Sequence, residues 1–195
     1  MIEIRLNDMS YEQDIRELLM AFYPGETFAY REPEKEAAAS GGTDAEEARI
    51  VTKEAPFMAV EGLLSEDRKK FSLQLVYSGS SAFYAFRGLP PELEEELRHA
   101  EEPILVDYDD RFETKNKIKR RLYVSLMSAT GKLLPWGTLT GIRPTKIAMT
   151  KLGEGWSGEE IARYMRETYC TSDEKISLAL DVAKKPIRPA IRTLD

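Results

Sequence analysis

The chain is most informative at residues 133–146, which read Leu-Leu-Pro-Trp-Gly-Thr-Leu-Thr-Gly-Ile-Arg-Pro-Thr-Lys. Gly137 and Gly141 permit backbone conformations that other residues avoid, and they let a ligand approach the chain closely. Pro144 suits the first position of a helix and predicts that one begins there. The segment is therefore a structured loop that leads into a helix.

The same loop carries cations where an anion is favoured. Arg143 stands at the start of the predicted helix, where free backbone N–H groups attract negative charge. Its guanidinium matches carboxylate or phosphate geometry. We predict an anion-binding site formed by Arg143, Lys146, Trp136, Gly137, Thr140 and Gly141. The alternative is a rigid linker, with Trp136 in a core and Arg143 bonded to a nearby carbonyl.

Lysines also lie within an apolar helical pattern at residues 111–130. Ile118, Leu122 and Leu126 share one arc at helical spacing, and Lys115 and Lys119 project into that arc. Either their heads reach the edge of the face, or they point into a pocket that faces the 133–146 loop and join its anion site. The basic residues on the opposite side are predicted to be solvated: Lys117, Arg120 and Arg121.

The remaining pattern predicts an α+β fold. Strands are expected near 2–7, 27–30, 49–64 and 70–77, in an antiparallel or mixed sheet. One helix begins at Ser10 as its N-cap, and a short acidic helix runs from Pro90 to about His99. About four helices follow: 111–130, 144–153, and two that open with predicted capping boxes at 157–160 and 171–174.

Charge divides unevenly between these parts. Residues 1–110 carry a formal charge of −14 and residues 111–195 a charge of +8. Such asymmetry suggests two units, an acidic α+β unit at 1–105 and a basic helical unit at 106–195. Residues 31–48, rich in alanine, glutamate and glycine, are predicted to form a mobile loop.

The residue types present do not predict a disulfide, a metal site, a catalytic residue or a membrane span. The chain has a single cysteine and a single histidine, so it offers no disulfide and no paired metal ligands. His99 is predicted to be a surface residue without a partner, and Cys170 a small buried hydrophobe. We predict no catalytic residue and no metal site. No stretch is long and apolar enough to span a bilayer, and a cytoplasmic setting is expected.

Two segments carry a family resemblance. Residues 134–146 resemble the region that precedes the catalytic barrel in HemZ-type radical-SAM coproporphyrinogen III dehydrogenases, also called oxygen-independent coproporphyrinogen oxidase-like proteins. Residues 7–18, Asn-Asp-Met-Ser-Tyr-Glu-Gln-Asp-Ile-Arg-Glu-Leu, and the Phe-Tyr-Pro-Gly at 22–25 are similar to the start of the same family. The Trp-Gly and Gly-Ile-Arg-Pro residues are the more specific part of the match.

The resemblance implies a role in porphyrin and haem biosynthesis for the parent protein, an oxidoreductase. Its [4Fe-4S] cluster and S-adenosylmethionine need a Cys-x₃-Cys-x₂-Cys run, which a chain with one cysteine cannot supply. We therefore expect an accessory, substrate-side region that is not catalytic alone and that partners a radical-SAM barrel outside this sequence. An anionic porphyrinogen is the implied small-molecule partner.

A nucleic-acid-binding module is the alternative function. The basic segment 111–151 would supply phosphate contacts, and the helix pair at 157–184 would supply a reading element. Against it, the pair of helices is near neutral and lacks exposed asparagine or glutamine for reading base edges.

Overall fold

The computed structural model describes residues 1–31, 57–77, 91–141 and 143–185. The predicted mobile loop at 31–48, apart from Arg31, lies outside these described residues, as does the first part of the predicted strand at 49–64. The chain forms two compact units, Met1–Lys132 and Leu133–Asp195.

The first unit is built on a five-stranded mixed sheet. Its strands are β1 (Ile2–Leu6), β2 (Phe28–Arg31), β3 (Met58–Leu64), β4 (Lys70–Tyr77) and β5 (Ile104–Leu105), in the order β2-β1-β3-β4-β5. Strand β1 pairs in parallel with β2 and β3, whereas β4 is antiparallel to β3 and β5. The α+β class is confirmed. Sequence reasoning missed β5 because two residues show no periodicity.

Three helices accompany this sheet: α1 (Glu12–Phe22), α2 (Pro91–Arg98) and α3 (Arg111–Thr130). Helix α1 buries Ile15, Leu18 and Leu19 completely, as the helical spacing predicts. A short 3₁₀ helix, Met9–Tyr11, precedes α1 and is capped by the carboxylate of Asp8. The prediction that Ser10 is the N-cap of α1 was therefore wrong: Ser10 lies inside the 3₁₀ turn, and the N-cap position of α1 is Tyr11.

Helix α3 belongs to the first unit and places the boundary later than the charge pattern predicts. It packs against α1, α2, β4 and β5, and it ends at Gly131, which adopts the left-handed conformation with φ 67°. The predicted boundary at 105/106 is thus corrected to 132/133. With that boundary the formal charges of the two units become −8 and +2, because the basic residues of α3 count with the acidic sheet unit.

The second unit contains three described helices rather than the four that were predicted after residue 106. They are α4 (Pro144–Gly153), α5 (Gly158–Tyr169) and α6 (Asp173–Lys184), and α4 packs against both of the others. The capping box of Ser157 and Glu160 is confirmed. The second predicted capping box is not formed: Ser172 caps α6 by accepting from the N–H of Lys175. The core comprises Leu139, Ala148, Ile161, Met165, Tyr169, Ile176 and Ala179.

None of the helices in the described ranges combines the length and apolar character that crossing a bilayer requires.

Candidate functional site

The 133–146 loop is fixed to the junction between α5 and α6. The N–H of Thr138 donates to the carbonyl of Tyr169 at 2.8 Å, and the Thr138 hydroxyl donates to the same oxygen at 3.3 Å. The N–H of Ser172 donates in turn to the carbonyl of Pro135 at 3.0 Å. These bonds tie both sides of the junction to the loop and hold the residues that lead into α4.

Gly137 makes this close approach feasible. Its φ is +58°, and a Cβ placed there would lie 1.9 Å from the carbonyl oxygen of Tyr169 and 2.5 Å from that of Cys170. The sequence predicted that a glycine here lets a ligand approach the chain, whereas the group that approaches Gly137 is the backbone at the α5–α6 junction. Gly137 is accordingly part of the scaffold that positions the candidate site.

Trp136 has features of both predicted roles, namely an aromatic ring of the anion site and a core side chain of a rigid linker. Its side chain is half-buried and packs against the core of the second unit, as the linker alternative requires. The ammonium of Lys175 lies 5.9 Å from the centre of its ring, within reach of a cation–π interaction. Sequence reasoning missed Lys175, which α6 brings to the loop through the Ser172–Pro135 bond. Trp136 thus has a cation beside it and a partly accessible surface.

Arg143 and Lys146 are exposed at the start of α4. Arg143 is the N-cap in an extended conformation (φ −80°, ψ 107°), and its side chain does not cap the helix. Within the described residues, neither cation forms an ion pair. The N–H of Lys146 donates to the carbonyl of Arg143 at 3.0 Å. That N–H is therefore engaged, which corrects the expectation that it is free for a ligand.

The other predicted loop residues differ in accessibility. Gly141 is exposed and adopts a left-handed conformation with φ 69°. Thr140 is half-buried, and its N–H donates to the carbonyl of Thr138 at 3.0 Å. Gly141 therefore provides the turn toward Arg143, and Thr140 continues the fixed part of the loop.

Lys115 and Lys119 lie in the first unit and have carboxylates there. The ammonium of Lys115 is 2.6 Å from Asp14 of α1. Lys119 is only 3 % exposed, and burial lowers the pKa of its ammonium, against the favourable charges of Asp14 and Glu17. Lys119 is thus more deeply buried than snorkelling predicts. Both lysines lie close to acidic residues of α1.

Several cations of the basic run at 111–151 pair with carboxylates, whereas Arg143 and Lys146 have no ion pair among the described residues. Arg120 and Arg121 both pair with Glu96 of α2, and Lys151 pairs with Glu154 at 2.8 Å. The prediction that Arg120 and Arg121 are solvated was wrong, because α2 covers that side of α3. Lys117 is exposed, as predicted. A phosphate footprint would need free cations, so this pairing argues against the nucleic-acid alternative.

His99 has two carboxylate neighbours that sequence reasoning overlooked. Its Nδ1 lies 2.7 Å from Glu102 Oε1, and its Nε2 lies 3.0 Å from Glu95 Oε1. The three residues sit at or just beyond the end of α2. Hydrogen bonding to Glu102 and then to Glu95 raises the pKa of the imidazole above its ordinary value of 6.5. His99 is an exposed group between two carboxylates, and the described residues form no metal-binding cluster.

We expect NMR titration of His99 to give a pKa above 6.5. Because the folded-state pKa is raised, the protonated ring stabilises the fold below its ordinary pKa, and this contribution is lost as the pH rises through the folded value. Replacing Glu102 with glutamine should lower the measured pKa, whereas Glu101→Gln should change it little. Equal shifts in both variants would show that general charge, and not the bond to Glu102, is responsible.

Cys170 is half-buried and not a core residue. It is the C-cap of α5 and adopts a left-handed conformation with φ 55°. Its carbonyl oxygen faces Gly137. Cys170 therefore acts through its backbone, which forms part of the surface that the 133–146 loop contacts.

Part of the chain is similar in sequence to a known protein. Over 76 residues it is 38% identical to the oxygen-independent coproporphyrinogen-III oxidase-like protein HemZ of Bacillus subtilis (strain 168). The match covers 38% of this chain and 15% of HemZ. No protein-family model and no solved structure matches the chain. The chain thus contains a HemZ-like region that corresponds to a small part of HemZ.

Proposed function

We propose that the chain is an accessory, substrate-side region of a coproporphyrinogen oxidase-like enzyme of porphyrin biosynthesis, and that its second unit binds the carboxylates of a porphyrinogen. The likeness to HemZ supports the enzyme class. The site is supported by one observation above all: Arg143 and Lys146 stand exposed, without ion pairs among the described residues, at the start of α4.

The chemistry of this surface fits a multiply charged ligand with a large apolar ring system. Coproporphyrinogen III carries four propionates, so its recognition needs several cations near an apolar surface. The start of α4 adds the positive end of a helix dipole to the charges of Arg143 and Lys146. Trp136 and Lys175 supply an aromatic ring and a further ammonium on the same unit.

The cofactors of a radical-SAM enzyme do not fit the residues present. A [4Fe-4S] cluster needs several thiolates, and the whole sequence has only Cys170. We therefore assign no catalytic step to this chain. Under the proposal, the cluster and S-adenosylmethionine belong to a radical-SAM barrel that partners it.

The proposal predicts that the chain binds coproporphyrin III, the air-stable fluorescent analogue with the same four carboxylates. Arg143→Ala should weaken binding roughly tenfold or more, because a charge-assisted hydrogen bond contributes about 1.5–3 kcal/mol where water is excluded. Fluorescence titration measures the dissociation constant. The melting temperature should stay unchanged, since the Arg143 side chain is exposed and does not cap α4.

Arg163→Ala is the matched control, because Arg163 is an exposed arginine of α5 in the same unit. It removes the same charge and should leave affinity nearly unchanged. Absence of porphyrin binding, or equal losses in both variants, would refute the assigned site. Tighter binding of duplex DNA than of coproporphyrin, with a steep dependence on salt, would favour the nucleic-acid alternative.

A further inference from the structure

The first unit carries an unusual surface at the carboxyl ends of two parallel strands, β1 and β3. Asn7 joins these ends: its side-chain amide donates to the carbonyl of Leu64 at 2.7 Å, and its side-chain oxygen accepts from the N–H of Leu64 at 2.8 Å. The chain leaves β1 through Asp8 and leaves β3 through the turn that contains Arg68. Two elements distant in sequence are thereby held side by side.

Arg68 is fixed at this corner by both its backbone and its side chain. Its φ is 57°, in the left-handed region that usually favours glycine, and its N–H donates to the carbonyl of Ser65 at 2.8 Å. Its guanidinium donates to the hydroxyl of Tyr108 at 3.1 Å and to the carboxylate of Asp8 at 3.0 Å. The chain thus keeps a long cationic side chain at a position where glycine would fit the backbone better.

A second arginine reaches the same corner from α3. Arg111 donates to the carbonyl of Ser10 at 3.0 Å, and its guanidinium lies 5.9 Å from the centre of the Tyr11 ring. The pKa of Asp8 is lowered first by its bond from Ser10 and further by the charges of Arg68 and Arg111. Arg68 therefore pairs with the Asp8 carboxylate, and Arg111 is bonded to the backbone two residues further along the chain.

Large apolar side chains flank these arginines and face solvent. Met9 is 59 % exposed, Tyr108 57 % and Phe112 54 %. We call Met9, Arg68, Tyr108, Arg111 and Phe112 the arginine–aromatic patch. Methionine, aromatic residues and arginine are enriched at protein–protein interfaces, and tyrosine and arginine are frequent hot spots. Since both arginines are already held in place, little side-chain freedom remains to be lost on association.

The charges around the patch indicate which partner fits. Asp109 and Asp110 are exposed beside Tyr108 and Arg111, so the surface presents both signs close together. A partner of one sign would meet repulsion from half of these groups. A twofold axis instead sets the arginines of one copy against the aspartates of the other, as isologous interfaces require. We propose that the arginine–aromatic patch is the twofold interface through which two copies of this chain associate.

The full chain should therefore dimerise reversibly in sedimentation equilibrium across micromolar concentrations. Phe112→Glu should raise the dimer dissociation constant by roughly tenfold or more, as expected for an interface hot spot. Leu178→Glu is the matched control. Leu178 is similarly apolar and exposed, but it lies on α6 in the second unit, and its replacement should leave the dimer intact.

Arg68→Gly separates association from folding. Glycine suits the positive φ, and this gain offsets the loss of the exposed bonds to Asp8 and Tyr108, so the melting temperature should hold while the dimer weakens. A chain that stays monomeric at every concentration would overturn the proposal, as would a dimer that survives both Phe112→Glu and Arg68→Gly. These outcomes are independent of porphyrin binding, which concerns residues of the second unit.

Discussion

Replacing Gly137 with alanine is expected to destabilise the second unit by about 3 kcal/mol or more, in the range that marks a severe local conflict. The new Cβ would lie 1.9 Å from the carbonyl oxygen of Tyr169 and would force the loop away from the α5–α6 junction. The bond from the Thr138 N–H to Tyr169, now 2.8 Å, would lengthen or break. Left-handed backbone adds about 1–2 kcal/mol for a residue with a side chain.

Two other glycines in the same unit isolate the steric part of this effect. Gly155 also has a positive φ, +89°, but has nothing within 4 Å of a new Cβ, so Gly155→Ala should show only the backbone cost of about 1–2 kcal/mol. Gly153 ends α4 in open space and does not have a positive φ, so Gly153→Ala should be neutral or stabilising. Urea unfolding can be followed by the fluorescence of Trp136 and Trp156, both in this unit. Equal losses for Gly137→Ala and Gly155→Ala would show that loop docking contributes little.

The second unit was the part of the fold most readily predicted from sequence. Local signals set its helix bounds: Pro144 begins α4, Ser157 and Glu160 begin α5, and Gly131 ends the preceding α3. These are short-range effects of caps and backbone freedom, which adjacent residues determine. They need no knowledge of what packs against the helix.

Contacts between residues that are distant in sequence could not be predicted from these local signals. Glu3 is 2 % exposed within β1 and lies 2.7 Å from Arg31 of β2, a contact that depends on the parallel register of the two strands. The charge jump near residue 111 likewise marks the start of α3 and not a unit boundary. Net charge counts residues, whereas burial depends on which element covers them. The acidic helices α1 and α2 pack against the basic helix α3, and their carboxylates form ion pairs with its cations within the first unit.

The candidate site was partly predictable for the same reason. A glycine, a proline and a cation in close succession predict a tight turn into a helix with an exposed charge, and Gly137, Pro144 and Arg143 fit that description. The partner of the close approach was not predictable, because Tyr169 and Cys170 are distant in sequence. Lys175 was missed for the same reason, because it is distant in sequence from Trp136.

Arg121→Met is expected to destabilise the first unit by about 3 kcal/mol, at the lower end for breaking a buried ion pair because Glu96 is partly exposed. Arg121 donates to Glu96 at 3.0 Å and to the carbonyls of Ala100 and Glu102 at 3.1 and 2.7 Å. Methionine keeps much of the apolar stem but leaves a carboxylate and two carbonyls without this donor. The segment after α2 would lose its main tie to α3.

Lys117→Met is the matched control on the same helix. Lys117 is exposed and lies 3.7 Å from Glu113, so its loss should cost less than about 0.5 kcal/mol. Urea unfolding followed by circular dichroism gives both free energies of unfolding. Glu96→Gln should cost less in the Arg121→Met background than in the unmodified chain, because one of the two arginine partners of Glu96 is already gone. If Arg121→Met costs no more than Lys117→Met, the contact with α2 is a surface pairing, and α2 is held to α3 by apolar packing alone.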